Sequence, residues 1–162
     1  MSFKKLFFPI IFLVIAIQIF AQNKQNCLVD KVNNNSTMTS TTAKNVLGTP
    51  LQSCCFDPIT GYFRDGFCHT SDRDYGTHVI CAIMTEEFLT FTKGKGNDLS
   101  TPIPMYNFPG LKVGDRWCLC ALRWKEAMDN GVAPPVILES THSKALQFIT
   151  FDELNTYALI KQ

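Results

Sequence analysis

Leu6 through Phe20 is an apolar run interrupted only by Pro9 and Gln18, with Lys4 and Lys5 before it and the small residue Ala21 after it. A charged start, an apolar centre and a small exit residue are the anatomy of a cleavable secretory signal. A permanent anchor needs about 20 apolar residues to span hydrocarbon, and this run is shorter. The residues before Cys27, Lys24-Gln25-Asn26, lack the small and aliphatic side chains of a lipoprotein signal. The sequence therefore predicts export, periplasmic or secreted, with no stable membrane anchor once residues 1–21 are removed. Whatever folds then folds in an oxidising compartment, where disulfide pairing is the default state of cysteine.

Removal of that segment also settles the charge. Loss of Lys4 and Lys5 takes the 15 basic residues to 13 against 14 acids, with no basic stripe or acidic block. A near-neutral chain of this kind lacks the electrostatic footprint of a nucleic-acid binder. Residues 22–44 include Asn33-Asn34-Asn35-Ser36-Thr37-Met38-Thr39-Ser40-Thr41-Thr42. That stretch has too little apolar surface to offset the entropy of ordering it, and is expected to be a disordered polar linker. What remains, 45–162, is the size of one domain.

Within that domain the first half is punctuated by turn formers: Thr49-Pro50, Asp57-Pro58, Thr60-Gly61 and Asp65-Gly66. These predict a loop-rich segment. His78 through Met84 is nearly all apolar and β-branched and reads as a buried strand. Thr85 is a cap for a helix carrying Glu86 and Glu87 in its first turn, with Gly94 and Gly96 to end it. Pro102, Pro104 and Pro109 deny regular structure to 97–114. Asp115 is placed to cap a helix over 116–130, in which Trp117, Cys120, Ala121, Trp124, Ala127 and Met128 recur at spacings of three and four. Val136-Ile137-Leu138 and Leu146-Gln147-Phe148-Ile149 read as short strands. Thr150 with Glu153 three residues on is a capping box for a last helix. Strands and helices do not alternate as a doubly wound sheet requires, so the expected class is α+β, a small single domain with a loop-rich N-terminal half.

Asp57-Pro-Ile-Thr-Gly-Tyr-Phe-Arg-Asp-Gly66, Gly96-Asn-Asp-Leu-Ser-Thr-Pro102, Phe108-Pro-Gly-Leu-Lys-Val-Gly-Asp-Arg-Trp-Cys-Leu-Cys120 and Ala133-Pro-Pro135 resemble, in order and spacing, the signature segments of the bacterial family known as domain of unknown function 2237. The resemblance runs from about Asn45 to the C-terminus. It implies a small single domain and supplies no activity. Many members of that family lack an export signal, so the signal, the linker, Cys27 and Cys55 stand as departures from its pattern.

The seven cysteines lie at 27, 54, 55, 68, 81, 118 and 120, six of them in the domain. Six allow 15 pairings, among which sequence does not choose; adjacent Cys54 and Cys55 are each expected to pair elsewhere. Cys54, Cys68, Cys118 and Cys120 are the candidate ligands of a structural zinc. Against that, Cys120 packs readily beside Trp117 and Trp124 in a core. Cys118, about three residues after the Asp115 cap, is a candidate nucleophile whose thiolate a helix N-terminus would favour, given a nearby histidine.

Glu139-Ser140-Thr141-His142 gathers an acid, two hydroxyls and an imidazole at a strand end, where sites commonly form. Arg64-Asp65 and Asp72-Arg73-Asp74 flank Cys68-His69 and read as pocket residues or as solvated turns. His78 reads as a hydrogen-bonded core histidine, and the polar loop 97–101 as Asx and hydroxyl turns or a ligand loop. Arg116 and Arg123 are placed to hold an anion or to pair with Glu139. The site, if one forms, is expected to join His142 with Cys118 and with Arg64-Asp65. Three functions follow: a small ligand or metal ion held in a polar Cys/His-containing pocket, a thiol enzyme using Cys118 with a histidine, or a disulfide-stabilised structural or interaction module.

Overall fold

The computed structural model describes Cys27 and residues 43–159. The export signal read at 1–21, and the linker at 22–44 apart from Cys27 and its last two residues, lie outside the described residues. Those described form a mixed α+β domain, and none of their helices is long and apolar enough to cross a membrane.

Two strands form its centre. β1 (His78–Ile83) and β2 (Arg116–Cys120) pair antiparallel, with Cys81 opposite Cys118, Ala82 opposite Trp117 and His78 opposite Cys120. The pairing is irregular between His78 and Ile80, which sets the His78 end apart from the ladder. Residues 135–137 run along the outer side of β1: Ile83 N–H donates to Pro135 O and Ile137 N–H to Cys81 O. The expected strand at Val136 is reduced to bridges with Ala82 and Ala158.

Helix α1 (Glu86–Gly94) begins as its sequence dictates. Thr85 Oγ1 accepts the Phe88 N–H at 3.2 Å, and Glu86 and Glu87 occupy the positive end of the helix dipole. Gly96, in left-handed backbone, ends the segment. Helix α2 (Ala121–Asp129) buries Ala121, Trp124 and Ala127, one face at a spacing of three. Helix α3 (Phe151–Thr156) opens with the expected capping box: Thr150 Oγ1 accepts the Glu153 N–H while Glu153 Oε2 accepts the Thr150 N–H. Trp124, Phe88, Ile80, Met84, Val136, Ile149 and Leu154 fill the core between the strands and these helices.

Two expectations fail. Asp115 does not cap a helix: its carboxylate accepts the Lys112 N–H at 2.8 Å in the turn before β2, and α2 starts five residues later than its periodicity implied. Residues 116–120 are drawn into ladder hydrogen bonds with β1, and that pairing overrides a spacing compatible with either state over so short a span. Likewise, 146–149 is no strand. A 3-10 turn spans Ser143–Gln147, and His142 Nδ1 accepts the Lys144 N–H at its start.

The loop-rich half is held by cross-links. Cys54 is bonded to Cys81, Cys68 to Cys118 and Cys27 to Cys55. Cys54, Cys68, Cys81 and Cys118 form a small second core with Ile137. Thr60 Oγ1 accepts the Cys118 N–H at 2.8 Å and Thr141 Oγ1 the Cys81 N–H at 3.2 Å, so each strand is also gripped by a buried hydroxyl. Asn45 anchors the start of the domain, its amide bonding Thr49, Pro50 O and Glu139 O.

Candidate functional site

The loop from Gly61 to Gly66 is a tight reversal, with Arg64 N–H donating to Gly61 O and Gly66 N–H to Thr60 O. Gly61 is there by necessity, because a Cβ at that position would run into the Phe67 carbonyl. Arg64, itself in left-handed backbone, lays its guanidinium over the Trp117 ring at 4.8 Å from the centroid. Partial burial lowers its pKa. Among the described residues no carboxylate lies within ion-pair distance of it.

Beside it opens a cavity of about 320 Å3. Tyr62, Tyr106, Phe108 and Trp117 give it aromatic walls, and Arg64 and His78 add polar groups. The far lip is the loop carrying Asn97 and Asp98. Asp98 is spent on that loop: it accepts from the Thr101 hydroxyl and from the Ser100 and Thr101 amides and pairs with Lys93 at 3.0 Å. The Thr101 hydroxyl first, and Lys93 next, hold its carboxyl well below the usual range. This loop is therefore the Asx turn its sequence suggested.

His78 joins the cavity to a second cluster. Its Nδ1 lies 2.6 Å from Asp74 Oδ1, and its backbone N–H donates to Asp74 Oδ2 at 2.8 Å. The Thr70 hydroxyl donates to the same carboxylate at 3.0 Å. Burial alone would raise Asp74, but these donors hold it below its ordinary value. Cys120, the free thiol, stands directly across the ladder from His78. A Cβ built on Gly76 would come within 2.5 Å of His78 Cε1 and 3.0 Å of Cys120 Sγ, so glycine leaves the room in which ring and sulfur meet. Cys120 beside it, opposed by burial and reinforced by Asp74, pushes the His78 pKa up to about 9. Tyr62 stacks on the same ring at 6.3 Å.

The residues singled out in the sequence scatter. Arg64 and Cys118 do share the cavity; His142 is not among its lining residues. His142 caps the 3-10 turn, its pKa lowered by burial and then by the nearby charges of His69 and Lys144. Asp65 accepts the Phe67 N–H and reaches His69 at 3.6 Å. Glu139 contributes its main-chain oxygen to Gln52 and Asn45. Arg116, half-buried with its pKa lowered by that burial, starts β2, and Arg123 pairs with Glu126 at 3.0 Å.

Cys118 is no helix-start nucleophile: it lies inside β2 and is bonded to Cys68. Of the four candidate zinc ligands, Cys54, Cys68 and Cys118 do cluster, their sulfurs within 4.8 Å of one another, but Cys81 rather than Cys120 completes the group. In the bonded state these are cystine sulfurs, without the thiolate that zinc takes. Cys120 is half-buried against His78 instead of packing into the core between the tryptophans. The sequence reading missed the grouping of Asp74, His78 and Cys120. Its signal was present in Asp74-x-x-x-His78 with a glycine between.

Comparison with known proteins agrees with the extent of this domain. The family model described as "Uncharacterized protein conserved in bacteria (DUF2237)" matches residues 44–158. No curated protein matches the chain.

Proposed function

We propose that this chain, which belongs to the bacterial family DUF2237, is an exported, disulfide-stabilised module that binds a small anionic molecule with an aromatic or apolar body. The observation that carries the reading is Arg64: a guanidinium fixed by its loop, stacked on Trp117, facing an aromatic cavity and lacking a carboxylate partner among the described residues. Arginine offers two parallel N–H donors to a carboxylate or phosphate, and a half-desolvated site strengthens that pairing. A protonated His78 on the same wall adds a second positive group. The three disulfides suit an oxidising compartment, and the apolar run at Leu6–Phe20 supplies the route to it.

Trp117 lines the cavity while Trp124 is fully buried elsewhere, so binding should be read by tryptophan fluorescence. Titration with benzoate and 4-hydroxyphenylacetate should quench saturably, with benzyl alcohol inert. Arg64→Gln should weaken binding at least about 10-fold, the value of a charged hydrogen bond. No saturable quenching by any aromatic carboxylate, or equal affinity in Arg64→Gln, would overturn the reading.

A further inference from the structure

Three groups, of which only His78 also lines the cavity, are arranged for chemistry. Cys120 is the one cysteine the disulfides leave free, and it is the N-cap residue of α2, a nine-residue helix. His78 faces it across Gly76. Asp74, only 3 % exposed, fixes the ring through Nδ1 at 2.6 Å and is itself fixed by Thr70. The order of roles is nucleophile, base and orienting carboxylate, which is recognised by geometry and not by sequence position. Because Nδ1 is engaged with Asp74, Nε2 is the ring nitrogen left to exchange a proton.

We propose that Cys120, His78 and Asp74 form a thiol acyl-transfer centre acting on an ester or thioester. With the proton of the pair on His78, Cys120 Sγ bonds to the acyl carbon. The C–O or C–S bond to the leaving group then breaks, and His78 returns the proton to the departing alkoxide or thiolate. Water attacks the S-acyl intermediate, giving its proton to His78. The C–S bond breaks, a carboxylic acid leaves and the proton stays on His78 beside Cys120. Both protonated forms of the imidazole are held by Asp74 throughout. The first N–H groups of a helix have no partner within it; Ala121 N–H donates to Thr77 O at 3.0 Å, so the amides of Leu122 and Arg123 are the donors for the carbonyl oxygen as it gains charge. Tyr75 and Leu122, the exposed neighbours of this cluster in sequence, favour an apolar acyl group. His78 lines the cavity beside Arg64 but Cys120 does not; an acetyl group on Cys120 reads this centre and Arg64→Gln reads the anion site, so either can fail without the other.

The test uses the exported chain with its three disulfides formed and p-nitrophenyl acetate as probe. Mass spectrometry should find an acetyl group on the peptide bearing Cys120, with p-nitrophenolate released. Cys120→Ala should abolish the adduct, and His78→Gln should slow its formation at least about 100-fold, the scale of general-base catalysis. An adduct absent from Cys120, or formed at the same rate in His78→Gln, overturns the proposal. A second measurement needs no variant. At pH 7 iodoacetamide should alkylate Cys120 at least about 10-fold faster in the folded chain than in guanidinium, as an imidazole-paired thiol demands. An equal or slower folded rate also overturns it.

Discussion

Replacing both cysteines of the Cys68–Cys118 bridge with alanine removes a cross-link that closes 50 residues of chain. In the chain-entropy description such a loop contributes about 4 kcal/mol by restricting the unfolded ensemble. The crossing Cys54–Cys81 bridge does not reduce this, because the path between Cys68 and Cys118 that runs through it is no shorter than the direct one. A domain of this size has about 5–15 kcal/mol of stability in total, so the variant should be marginal but folded. Urea unfolding followed by far-ultraviolet circular dichroism should give a midpoint about 2 M lower, taking an m-value near 2 kcal/mol/M. The same treatment of Cys27–Cys55, which closes 28 residues, should cost about 0.5 kcal/mol less. A loss below about 1.5 kcal/mol for the 68–118 bridge would refute the entropic account, as would a larger loss for the shorter loop.

Trp124→Ala should destabilise by about 3–5 kcal/mol, since the indole is fully buried, donates to Pro134 O and meets Tyr157 edge-on; a urea-derived loss under about 1 kcal/mol would contradict its role as the anchor of α2. Thr150→Ala removes the capping box of α3 and should cost about 1 kcal/mol in the same assay. His78 binds its proton more tightly in the folded state, with a pKa of about 9 against 6.5. Its contribution to stability is therefore complete below pH 6.5 and is lost as pH rises to about 9. Urea midpoints should fall across that window, and the fall should disappear in His78→Gln.

The parts of the fold that could be read in the sequence were those whose cause is local. Thr85, the two glutamates after it and Gly96 define α1 by capping and dipole alone, and Thr150 with Glu153 does the same for α3. His78–Ile83 announced itself by β-branched, apolar continuity. What could not be read was decided by partners distant in the chain. Residues 116–120 satisfy a helical spacing as well as a strand, and only the ladder to β1 chooses between them. That one ambiguity moves the nucleophile: with a helix placed over 116–130, the thiol at its start is Cys118. The helix begins at Ala121, so the cysteine at its start is Cys120. The ring facing it is His78, hydrogen-bonded to buried Asp74 as its sequence position suggests. His142, by contrast, is satisfied locally by the turn it caps, and nothing in its neighbours' identities revealed that.

The disulfides and the site are connected by an economy of order. Among the described residues, 43–77 contain no helix or ladder strand, yet they supply Arg64, Thr70 and Asp74. Loop backbone of this kind would ordinarily be too mobile to hold a guanidinium over one ring or a carboxylate at 2.6 Å from another. Here it is pinned at Cys54, Cys55 and Cys68, and two of these bonds end on the paired residues Cys81 and Cys118 at the middle of the sheet. Covalent links thus stand where hydrogen-bonded elements stand in the other half of the domain. They spend six of the seven sulfurs, and the seventh, Cys120, stands across the ladder from His78. The free thiol is then the consequence of an arrangement in which six cysteines position the loop and one is kept for the imidazole it faces.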